Sequence, residues 1–137
     1  MNLLLQMKNK TFLKYKENEV FVTAVDERGI CWVIVKQNAI ITLREAEENT
    51  AFVIELGNGE IMPMLVDTRG ISTISKEARD HFSMRGRKGY VNSIAILTGN
   101  PLSKVVGNFF LGLNKPSVPT KLFTQEEKAV EWLNEYL

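Results

Sequence analysis

Cysteine and histidine are almost absent from this chain of 137 residues, which has one of each, Cys31 and His81. A lone cysteine forms no intrachain disulfide, so packing must hold the fold, and an intracellular, cytoplasmic location is expected. One cysteine and one histidine make no zinc site without several carboxylates, and no metal-ligand spacing appears. Charge of one sign is missing too. Seventeen Lys and Arg face sixteen Asp and Glu, for a net charge of +1, which sets up no field to gather nucleic acid or an anionic membrane. No run approaches the roughly 20 apolar residues of a membrane span. Residues 1–10 read as an N-terminal extension whose brief apolar patch lacks the basic flank and length of a signal peptide. Catalytic signatures are lacking as well. There is no Gly-x-Ser-x-Gly elbow, and the stretch from Gly99 to Lys104 has neither the two-glycine spacing nor the Gly-Lys-Ser/Thr ending of a phosphate loop. Neither enzymatic activity nor a cofactor, metal or nucleic-acid partner is expected. Cys31 reads as a buried, inert thiol and His81 as a solvated or capping side chain.

What is present is the pattern of an α/β domain spanning residues 1–137. Residues 18–26 alternate, residues 27–29 turn, and 30–35 form a β-branched run, together a hairpin with a short strand over 11–15 before it. Thr42 and Glu45 have the spacing of a capping box. The helix they open runs to about Leu56, with Leu43, Ala46, Val53 and Leu56 on its apolar face and Gly57 to Gly59 as its stop. Residues 61–66 are an apolar run ending abruptly in Asp67, Thr68, Arg69 and Gly70, the form of a buried strand. Pro63 removes one backbone donor from it. Three hydroxyls, Ser72, Thr73 and Ser75, then open a helix to about residue 84, with Ser75 as its cap. A basic stretch holds Arg85, Arg87 and Lys88, and residues 90–97 form another buried strand. Asn100 caps a further helix with Pro101 at its first position. Residues 121–123 form a short strand, and Thr124 to Glu127 a second capping box before the last helix. Strands alternating with helices predict a mixed, mainly parallel sheet with an N-terminal antiparallel hairpin and about four helices.

The helix over 102–113 is apolar nearly all round: Leu102, Val105, Val106, Phe109, Phe110 and Leu113 cover more than one face. Such a helix is core, or is covered by a second copy of the chain or by an apolar ligand.

Three segments carry a family resemblance: 63–70 with 75–79, 95–103 running into 107–111, and 119–123 with 127–133. In them the chain resembles the STAS fold of bacterial anti-sigma-factor antagonists, and more closely the small SpoIIAA-like bacterial proteins, many without an assigned function. The resemblance implies a regulatory or protein-interaction module, with a protein partner or a homodimer. It also implies a switch hydroxyl just after the central strand. Thr68 is the nearest positional match, with Ser72, Thr73 and Ser75 as neighbours, and Arg69 stands where the pattern has a hydroxyl. The expected working edge is therefore Asp67, Thr68, Arg69, Ser72, Thr73, Ser75, Asn100 and Ser103. Related folds include lipid carriers, so a small apolar or lipid-like ligand beneath the 102–113 helix is the alternative.

Overall fold

The β-branched and apolar runs become strands that bury both faces. In the computed structural model, which describes residues 11–82, 89–101, 104–105 and 118–137, β1 (Phe12–Glu17), β2 (Phe21–Asp26) and β3 (Cys31–Val35) form an antiparallel meander. The short strand expected before the hairpin is therefore real and runs two residues further. A three-residue β4 (Ala39–Ile41) leads into α1 (Leu43–Gly57), followed by β5 (Met62–Asp67), β6 (Ile71–Ile74), α2 (Lys76–Phe82), β7 (Val91–Leu97), β8 (Thr120–Phe123) and α3 (Glu126–Leu133). A 3-10 turn over Asn134–Tyr136 ends the chain. The main sheet has the order β1-β2-β3-β5-β7-β8, with β3, β5, β7 and β8 mutually parallel. β5 is thus interior, as its apolar run predicts, and Pro63 stays within it at the cost of a register irregularity beside Met62.

Two expectations about the elements need correction. Ser72 and Thr73 do not open a helix: they lie in β6, which pairs in parallel with β4 as a separate two-stranded sheet. Periodicity misses both strands because each is too short to show alternation. The described residues hold three α-helices rather than four, since most of the expected 102–113 helix lies outside them.

Helices α1 and α2 cover one face of the sheet, where Phe21, Val33, Val53 and Met64 join one buried cluster. Helix α3 covers the other, where Ala129 and Leu133 pack with Trp32, Leu65 and Leu97. Leu43, expected on the apolar stripe of α1, is 38% exposed. The stripe instead includes the polar Asn49, whose Oδ1 accepts the Thr23 hydroxyl of β2 at 2.7 Å. A buried polar pair of this kind is tolerated because each group meets its partner.

Asp26 staples the β2–β3 turn. Its Oδ1 accepts the backbone N–H groups of Arg28, Gly29 and Ile30 at 2.9–3.1 Å. Its Oδ2 accepts Trp32 Nε1 at 2.9 Å and Arg28 Nη2 at 2.7 Å. Only 2% of the residue is exposed, yet the turn donors and the Arg28 charge leave little of its acceptor capacity unused.

The capping box of α1 forms as expected. The Glu45 carboxylate accepts the Thr42 N–H at 2.8 Å and the Thr42 hydroxyl at 2.6 Å. The hydroxyl bond is the main cause that holds the Glu45 carboxyl below its ordinary range. A carboxyl depressed in the folded state adds stability above its unfolded pKa, about 4.3, and that stability is lost as pH falls through the lower folded value. Thr42→Val is therefore expected to lower stability at pH 7 by about 1 kcal/mol, the usual cost of a lost cap, and to move the acid-unfolding midpoint to higher pH. Acid titration followed by circular dichroism checks this, and an unmoved midpoint refutes it. The second capping box is shifted: α3 begins at Glu126 with Gln125, not Thr124, as its N-cap and with no side-chain capping bond.

Candidate functional site

The register aligns Ile34, Asp67, Leu97 and Phe123 at one carboxyl edge of the sheet. Open α/β sheets place ligands and contacts beyond such an edge. The same device closes two neighbouring strands there. Thr68 donates its N–H at 3.0 Å and its hydroxyl at 2.8 Å to the Leu97 carbonyl. Thr98 donates its N–H at 2.9 Å and its hydroxyl at 3.4 Å to the Phe123 carbonyl. Both threonines are buried, so their hydroxyls finish the ladder rather than face solvent.

The group the edge does present is Arg69. Asp67 accepts its N–H at 3.1 Å, its Nε at 2.9 Å and its Nη2 at 2.7 Å. Glu126, in the first turn of α3, lies 3.9 Å from the same Nη2. The Asp67 bonds favour the charged guanidinium and raise its pKa further. Behind it, Asn100 Nδ2 donates to the Arg69 carbonyl at 2.8 Å. Two glycines permit close approaches, Gly99 that of the Arg69 stem and Gly70 that of the turn to the end of β3. A Cβ on Gly99 would lie 2.9 Å from Cγ and Cδ of Arg69, and one on Gly70 would lie 2.5 Å from the Val35 and Lys36 carbonyl oxygens. The side chain is nevertheless 47% exposed. Arginine normally loses much rotamer freedom when a partner fixes it; here the fold has fixed it in advance.

Cys31 is fully buried, and burial, aided by the Asp26 charge, pushes its thiol up to about 12, so a thiolate does not form there near neutral pH. His81 is not simply solvated: its Nε2 lies 2.8 Å from the Thr50 hydroxyl, linking α2 to α1. Among the described residues, no cluster of three or more His, Cys, Asp or Glu could hold a metal ion, and no helix is long and apolar enough to cross a membrane.

Of the expected edge residues, Asp67, Thr68, Arg69 and Asn100 come together. Ser75 does cap α2, its Oγ accepting the Ala78 N–H at 3.1 Å. However, β6 carries it about 13 Å of strand beyond the turn, and its own N–H docks on the Ile41 carbonyl of β4. Ser72 and Thr73 are exposed on β6. A helical turn opens at Asn100, whose carbonyl accepts the Lys104 N–H at 3.0 Å. Val105 is 65% exposed. Ser103, Leu102, Val106, Phe109, Phe110 and Leu113 lie outside the described residues, as do Arg85, Arg87 and Lys88.

The model of DUF7793, a domain of unknown function, matches residues 23–137. The chain belongs to the DUF7793 family. A solved structure similar to this DUF7793 chain is an uncharacterized protein of the DUF3478 family with a SpoIIAA-like fold, from Shewanella loihica PV-4. It is 14% identical, with 88% of this chain and 90% of that chain covered and a TM-score of 0.55. At that identity the likeness shows the fold: this DUF7793 domain is SpoIIAA-like, as the family resemblance implies. A protein of unknown function from Arthrobacter sp. FB24 is 32% identical over 81% of this chain and 90% of that one, with a TM-score of 0.33. No curated protein matches.

Sequence reasoning passes over Gly99 and Glu126 in this DUF7793 site. Gly99 carries a weak signal, a glycine between a strand end and an Asn-Pro helix start. Glu126 carries none, because its approach to Arg69 depends on how α3 packs.

Proposed function

We propose that this DUF7793 domain is a non-enzymatic, cytoplasmic interaction module of the SpoIIAA-like kind, which docks a protein partner at the edge around Arg69. The observation that carries the reading is the fixed, half-exposed Arg69, held by Asp67, Asn100 and Glu126 with space cleared by Gly99. Arginine is enriched among the residues that dominate binding energy, and prior ordering lowers the entropy cost of association. A stability role alone does not require this, because an exposed ion pair contributes only about 0–1 kcal/mol. The partner is another protein or a second copy of the chain, and Val105, 65% exposed just after the helical turn at Asn100, would serve a homodimer.

Cross-linking in the native cell followed by mass spectrometry tests the reading, with wild type compared against Arg69→Ala and Gly99→Ala. Alanine at 99 must push the Arg69 stem aside, but the Gly99 position itself is exposed. Arg69→Ala is expected to cost about 1 kcal/mol, the upper end for such a pair, and Gly99→Ala less than that, while both lose the same partner. A partner set unchanged in both overturns the proposal.

Modification would act through Ser72 or Thr73, whose exposed hydroxyls lie just beyond Arg69. A phosphate there adds a charge of about −1.5 to −2. Intact-mass measurement on protein from its native cell detects it; a chain without phosphate under every growth condition removes the modulation and leaves the docking edge.

A further inference from the structure

At the opposite end of the sheet, the amino end of β5, lies a hollow of about 400 Å³. Its walls include Leu13, Leu56, Ile61, Met62, Pro63 and Leu137. Leu13, Ile61 and Leu137 are 66%, 57% and 59% exposed. Three large apolar side chains left open around one depression is unusual, because contiguous exposed apolar surface marks binding sites more often than chance. The volume falls within the range of small-molecule pockets, about 300–1,000 Å³.

The backbone is irregular on both sides of this hollow. The β1–β2 register slips between Phe12 and Lys14, so Leu13 is the extra, unpaired residue of a bulge. Bulges re-aim side chains and are over-represented beside functional sites. Across the hollow, the β5–β7 register slips between Met62 and Pro63. Gly57 closes the floor, where a Cβ would meet the Met62 methyl at 2.9 Å.

Charge selects the ligand. Asp26 and Arg28 also line the hollow but neutralise each other at 2.7 Å. The remaining charged side chains are Lys14, Glu27 and Glu60, which leaves one carboxylate in excess. We infer that this hollow binds a small apolar molecule carrying an ammonium group, its apolar body against Leu13, Ile61 and Leu137 and its cation between Glu27 and Glu60. This site is separate from the Arg69 edge and does not depend on the docking reading.

Chemical-shift titration of the full chain tests it with octylammonium, octanoate and octanol, each below its micellar concentration. Octylammonium is expected to give saturable shifts at Leu13, Ile61 and Leu137 and to bind about tenfold more tightly than octanoate, a difference of about 1.4 kcal/mol. Ile61→Ser and Leu13→Ser, both at exposed positions, are each expected to weaken it about tenfold, and Glu27→Gln with Glu60→Gln to abolish the preference over octanoate. Equal binding of octanoate, unchanged binding in the serine variants, or no saturable shift at these residues overturns the inference.

Discussion

Replacing Asp26 by alanine is expected to cost about 2–4 kcal/mol of folding free energy, because it removes the shared acceptor of several donors, each worth about 1–3 kcal/mol when left unsatisfied in a buried site. Three backbone donors of the β2–β3 turn, the Trp32 indole and the Arg28 guanidinium all end on this one carboxylate. Alanine strands the buried Ile30 and Trp32 donors, while the Arg28 guanidinium, 42% exposed, turns to water. Asp26→Asn is expected to rescue little, since the amide NH2 group would confront donors on one side. A domain of this size has about 5–15 kcal/mol to lose, so Asp26→Ala is expected to be near the limit of folding. Urea denaturation measures the effect; a loss under about 1 kcal/mol means the turn holds itself without the carboxylate.

Gly70→Ala is the second large effect, expected at about 3 kcal/mol, the upper end for overpacking a closed site. The new methyl would lie 2.5 Å from two carbonyl oxygens of the β3 end, and backbone atoms cannot swing away as a side-chain tip can. The turn after β5 would have to lift, breaking the Ala39 N–H bond to the Gly70 carbonyl at 3.2 Å and displacing Arg69. Gly99→Ala is the matched control, since there the neighbour is a flexible arginine stem. Parallel urea curves for the two variants decide the point, and equal stabilities refute the close approach at Gly70.

The elements legible in the residue pattern are those whose signal is local. The capping box at Thr42 and Glu45, the left-handed Asn58 that ends α1, the β-branched β3 and the apolar β5 each follow from spacing and side-chain shape within a few residues. The corrected elements share a cause. Ser72 and Thr73 carry hydroxyls suited to a helix start, but β4 offers β6 a parallel partner, and a three-residue strand announces nothing on its own. Asn49 sits on the buried stripe of α1 because Thr23, 26 residues earlier, supplies its hydrogen bond.

By itself, the chain's order of residues determined the alternation of strands and helices, the interior place of β5 and the sharp polar ending at Asp67, because backbone propensity and burial act over short stretches. Tertiary structure alone decided which hydroxyls are spent on strand carbonyls, that Glu126 and Asn100 converge on Arg69, and that Leu13 and Ile61 share a hollow with Leu137. Those outcomes depend on contacts between segments far apart in the chain, and their strength is set by distance and solvent exclusion, quantities that no short stretch of residues contains.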